Sequence, residues 1–232
     1  MRGSIKMHNK LQHNRTKEFS DSQTASQFVS SSVRVQGVMP KKGGGMEQVN
    51  KFCEVVRKRS SEHRLAMDRM NDLPGMMASI LRQELDSMVR VLYLLTLLDL
   101  NERKRLITQT LNGDIWTTPT EKGKNKKVTD RDMVELSNKF QGWTLSVYKF
   151  GCSFIHLSNV HDYSNENPFD LLAPEEQSNI LEHMRRYHGG PNSTSPSFDE
   201  LAFYFSRVFD KIASNLECYI KDLESNEVKH VV

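Results

Sequence analysis

From residue 46 onward the apolar positions recur at steps of three and four, the period of helices that each bury one face. Over 46–70, Val49, Phe52, Cys53, Val56 and Leu65 mark such a face among charged residues. The segment NDLPG then puts Pro74 in a first helical turn, where its missing N–H has no helical partner to lose. Over 74–99, Met76, Met77, Ile80, Leu81, Leu85, Met88, Val89, Leu92, Leu95 and Leu98 cover most of the circumference, which predicts a central, buried helix. NERKRLITQTL reads as a shorter helix ending at the turn signal Asn112-Gly113.

The most regular pattern comes next. Thr129 and Asp132 approach a capping box, and Met133, Leu136, Phe140, Trp143, Val147, Phe150, Phe154 and Leu157 follow at spacings of 3, 4, 3, 4, 3, 4 and 3. A seam kept for more than three heptads predicts one long helix over 129–158, packed lengthwise on antiparallel neighbours. Pro174, Glu175 and Glu176 open a helix that stops at Gly189-Gly190. Ser197 and Glu200 form a capping box for the last helix, whose Leu201, Phe205, Val208, Ile212, Leu216, Tyr219 and Leu223 keep the same spacings. With no strand-period run and no internal repeat, the expected fold is all-α, an up-and-down bundle of about five helices. It forms a single domain over 46–232.

Charge divides the chain at the start of that domain. Residues 1–45 hold eight of the 32 Lys and Arg but only two of the 29 Asp and Glu, a net of +6 against −3 for the remainder. The basic balance therefore belongs to a polar tail rich in Ser, Gln, Asn, Lys and Gly, which has too few large apolar residues to offset its ordering entropy and is expected to be disordered. It reads as a dispensable leader or as a basic arm for nucleic acid or a partner. Four lysines in the loop 113–130 (Lys122, Lys124, Lys126, Lys127) read as solvated charge or as a phosphate-contacting loop. Cys53, Cys152 and Cys218 are odd in number and unpaired in spacing, which argues against a disulfide framework and suits a reducing cytoplasm. The longest apolar run, VRVLYLLTLLDL, is too short to span ~30 Å of hydrocarbon, so no membrane partner is expected.

Candidate chemistry concentrates in YKFGCSFIHLSNVHDYSNENPFD, residues 148–170. At 100° per residue, Lys149, Ser153 and His156 fall about 120° around from the seam and stack on one face of the long helix, continued by Gly142 and Ser146. His161 and Asp162 follow just past the helix end near Asn159, with Asn165 and Asn167 beyond. In EHMRRYHGG, Arg185, Arg186 and His188 occupy a last helical turn, where cations meet free carbonyls and the negative end of the dipole.

The helix end GCSFIHLS resembles the end of the motif-bearing helix in the HEPN superfamily, whose members are all-helical bundles. In its ribonucleases an arginine and a histidine, separated by four to six residues with a polar residue after the arginine, meet at a homodimer interface and cleave RNA without a metal. The resemblance implies His156 in the histidine role, a homodimer, RNA or a nucleotide as ligand, and a bacterial defence or toxin–antitoxin setting with an antitoxin-type partner. Lys149, with six residues between it and His156, stands where the family has arginine, and Phe150 follows it. A lysine holds phosphate as a point charge and lacks the guanidinium fork.

Three functions compete on these residues. In an RNA-directed protein, without metal or cofactor, His156 exchanges a proton with a ribose 2′-OH, Ser153 supports it, and Lys149 with Arg185 or Arg186 stabilises phosphorane charge. Arg185, Arg186, His161, Asp162 and Asn159 then form the substrate and phosphate contacts. In a non-catalytic dimerisation or interaction protein the same groups serve an interface. In a metal-dependent hydrolase His156, His161 and Asp162 converge on a divalent ion, although H-x4-H-D matches no established ligand spacing.

Overall fold

The computed structural model describes residues 44–230 apart from 121, 122, 157, 159, 160 and 164. The predicted tail, up to residue 43, and Lys122, Leu157 and Asn159 therefore lie outside the described residues. The all-α class holds. The elements are α1 (Gly44–Arg69), α2 (Pro74–Thr96), α3 (Leu100–Asn112), β1 (Thr117–Pro119), β2 (Asn125–Lys127), α4 (Asp130–Gln141), α5 (Thr144–Ile155), α6 (Pro174–His188), α7 (Phe198–Ala202) and α8 (Phe205–Glu224). None of these helices is long and apolar enough to cross a membrane.

Sixteen of the 23 residues of α2 are buried, so it is the axis on which α1, α4, α5 and α8 pack. It stops at Thr96 and not at 99, because the Asp99 side chain accepts from Asn101 N–H at 2.8 Å and caps α3. Leu98 thereby leaves the helix and stands 71% exposed, and Leu65 and Met76, also expected on buried faces, are exposed as well.

The predicted long helix is two. Gly142 adopts the left-handed conformation at φ 74° and closes α4, its N–H donating to Asn138 O at 2.8 Å. Asn138 also starts α5, since its Oδ1 accepts from Leu145 N–H at 3.2 Å. The seam keeps its three–four spacing across this break, so periodicity alone reads straight through it. The last helix is also interrupted, at Phe203–Tyr204, between the capping-boxed α7 and α8.

Contrary to the expectation of no strands, β1 and β2 form a small antiparallel hairpin with Thr117 opposite Lys127. Three residues per strand are too few to show a period of two. The hairpin is anchored by Trp116, which is buried, donates Nε1–H to Thr110 Oγ1 at 2.8 Å and lies under the Arg90 guanidinium.

Arg57 ties α1 to α8, its guanidinium donating to both oxygens of Glu217 and of Glu224 at 2.5–3.0 Å. These hydrogen bonds hold the Glu224 carboxyl below its ordinary value of 4.5. A carboxylate with a depressed folded-state value contributes stability that is present above 4.5 and is lost as the pH falls through the folded value. Urea midpoints should therefore fall on acidification, and less steeply for Arg57→Gln; parallel profiles would contradict this assignment.

Candidate functional site

Lys149 projects from α5 toward α6, and its Nζ lies 3.6 Å from Glu176 Oε1. Their side chains are 54% and 20% exposed, so the pair sits at a mouth and not in a core. It lines a polar cleft of about 330 Å³ whose α5 side carries Leu145, Ser146 and Lys149 and whose α6 side carries Glu175, Glu176, Asn179 and His183. Gly142 and Asn138, the residues of the helix break, close one end. Part of the polar face expected from the sequence, Gly142, Ser146 and Lys149, is thus brought together here.

The rest of that face separates. Ser153 is half-buried and donates its hydroxyl to Lys149 O at 3.4 Å, the i−4 carbonyl of its own helix. His156 lies beyond the last helical residue in extended conformation (φ −99°, ψ 140°), exposed, with its N–H on Cys152 O. It therefore does not continue the Lys149–Ser153 stack. His161 Nδ1 lies 3.2 Å from Ser158 O, and Asp162 Oδ1 accepts from Asn165 at 2.7 Å, so both form local turn contacts on the surface. Among the described residues no three His, Cys, Asp or Glu side chains form a metal-ligand set.

Arg185 and Arg186 do not reach Lys149's cleft lining. Arg185 donates Nε–H to Pro191 O at 2.9 Å and NH2 to Ser193 O at 2.7 Å, fastening the loop after α6. Arg186 is exposed, its guanidinium 5.4 Å from the Tyr187 ring. Burial first, then the positive charges of Lys211 and Arg207, hold the His188 imidazole below its ordinary value.

The α6 half of the cleft was not among the candidate residues that the sequence pattern marked. Its signal was present: Glu176, Asn179 and His183 are spaced three and four apart, a polar stripe beside the apolar stripe of Ile180 and Met184. His183 Nδ1 lies 2.7 Å from the Asn179 carbonyl oxygen, an acceptor, so Nδ1 bears the hydrogen of this contact.

A second group surrounds the contact of α2 with α5. Arg82 is 4% exposed, pairs with Asp86, donates Nε–H to Cys152 Sγ at 3.4 Å and stacks 4.1 Å from the Tyr148 ring centroid. Gly151 makes this approach possible, because a Cβ there would come 2.6 Å from Arg82 Cβ. Burial raises the Tyr148 phenol above its ordinary value, with the neighbouring Cys152 adding to the shift and Arg82 opposing it.

No protein-family model, no curated protein and no solved structure matches this chain.

Proposed function

We propose that the protein is a non-catalytic helical interaction module whose contact site is the cleft between α5 and α6, and whose first partner is a second copy of the chain. The observation that carries this reading is the Lys149–Glu176 pair at 3.6 Å inside a polar cleft. Lys149, the cation assigned to a phosphate, is matched by a carboxylate, and Glu175 adds a second on the same wall. An RNA phosphate entering there would meet two carboxylates for one ammonium. A surface carrying both signs is suited to an isologous two-fold contact, in which each copy offers its lysine to the other's glutamates.

In sedimentation equilibrium at micromolar concentrations the protein should show a reversible monomer–dimer equilibrium. Lys149→Glu, on an exposed helix face, should weaken dimerisation about tenfold or more by placing like charges together. A protein that stays monomeric throughout, or a dimer indifferent to this substitution, would overturn the reading.

The second reading is the metal-independent ribonuclease of a HEPN-like homodimer, or its RNA- or nucleotide-binding form, in a defence or toxin–antitoxin setting. It is supported by the exposure of His156 one residue past α5, where a ribose 2′-OH could approach the imidazole. It requires RNA cleavage that depends on His156.

A further inference from the structure

Beside the polar cleft lies a second recess of a different character. It measures about 80 Å³ and is enclosed by Leu81 of α2, Val147 and Phe150 of α5, Met184 of α6, and Phe205 and Val208 of α8. Val147 and Val208 remain partly exposed although both belong to an otherwise apolar wall. The recess opens to the surface, so water can reach a lining that offers it few partners.

Lys211 is the permanently charged side chain in its lining, with Tyr187, His183 and His188 as the other ionisable groups, and no aspartate or glutamate lines it. Lys211 is exposed on α8, so its stem covers the apolar wall while its ammonium stands at the rim. Arg207, one turn earlier, donates NH1 to His188 O at 2.9 Å and brings a second permanent cation to the same rim. Burial first, and then the nearby Lys211 and Arg207, lower the proton affinity of the His188 imidazole, so the permanent charges at this rim are the ammonium and the guanidinium. An apolar recess with two permanent cations at its rim and no carboxylate in its lining is complementary to a molecule with one apolar body and one anionic end.

We propose that this recess is a binding site for a small apolar monocarboxylate, a short-chain or single-ring acid, with its body against Val147, Phe150 and Val208 and its carboxylate at Lys211. The volume admits a short chain or part of one ring, and the carboxylate outside it exchanges solvent for a charge-assisted contact. This site adjoins the dimer contact: it shares Ser146 and His183 with the polar cleft, while Lys211 and Val208 line only the recess.

The test uses hexanoate and the neutral analogue 1-hexanol, followed by isothermal titration calorimetry and by chemical-shift changes in the full-length protein. Hexanoate should bind about tenfold more tightly than 1-hexanol, the value of one charge-assisted contact. Lys211→Gln, an exposed substitution, should remove that advantage and leave 1-hexanol binding unchanged. Val208→Trp, checked for a native circular dichroism spectrum, should abolish binding of both. Absence of saturable hexanoate binding, equal affinity for the two probes, or hexanoate affinity unaffected by Lys211→Gln would each overturn the proposal.

Discussion

Replacing His63 by leucine should destabilise the protein by about 3 kcal/mol, because it breaks a buried polar pair and leaves one partner behind. Glu84 of α2 is fully buried, with Ser60 Oγ donating to Oε1 at 2.5 Å and His63 Nδ1 lying 2.6 Å from Oε2, both from α1. Without His63, one carboxylate oxygen of the fully buried Glu84 loses its hydrogen bond inside the packed α1–α2 contact. Replacing Glu84 by leucine as well removes the stranded group, so the double variant should recover much of the loss. Urea unfolding of wild type, both single variants and the double variant measures the coupling. A His63→Leu variant within about 0.5 kcal/mol of wild type would show that the pair contributes little, as exposed pairs do.

The second large effect is expected at Gly151. A side chain here meets Arg82 Cβ, which belongs to the neighbouring helix and cannot rotate away, and Ala78 O lies 3.4 Å off on the same helix. Gly151→Ala gains about 1 kcal/mol of helix propensity and loses a similar or larger amount to overpacking. Gly151→Val has no such compensation and pushes α5 off α2, weakening the Arg82 contacts with Cys152 and Tyr148. A loss of about 3 kcal/mol is expected for valine, with alanine near 1, both read from urea midpoints. Equal stability of the valine variant and wild type would contradict the close helix approach.

Much of the scaffold was legible because its signals are local. Pro74 and Pro174 open helices, Gly113 and Gly189 close them in the left-handed conformation, and Thr129 and Ser197 form capping boxes with Asp132 and Glu200. What the sequence concealed was direction. A left-handed Gly142 turns the chain without disturbing the three–four spacing around it, and the lone sign of the turn was a glycine in the seam's polar face. The polar face fails at a different point, since a helix continued to 158 keeps His156 in line with Lys149 and Ser153. The chain instead leaves α5 at Ile155.

The α6 wall was hidden differently. Arg185, Arg186 and His188 drew attention to the helix end, where Arg185 serves the loop carbonyls. The stripe of Glu176, Asn179 and His183 that faces Lys149 lies earlier in the same helix and carries no motif. Nothing local pairs α5 with α6, because the partnership is made by folding across the segment between them. The same holds for His63 with Glu84 and for Gly151 with Arg82, each readable as a residue type and not as a contact.

Cleavage of labelled single-stranded RNA by the purified protein in EDTA, beside His156→Ala, bears most directly on whether this molecule works by binding or by catalysis. A binding module should leave the RNA equally intact with both proteins over many hours. Wild-type cleavage that His156→Ala abolishes would contradict it and establish the exposed histidine past α5 as a catalytic residue.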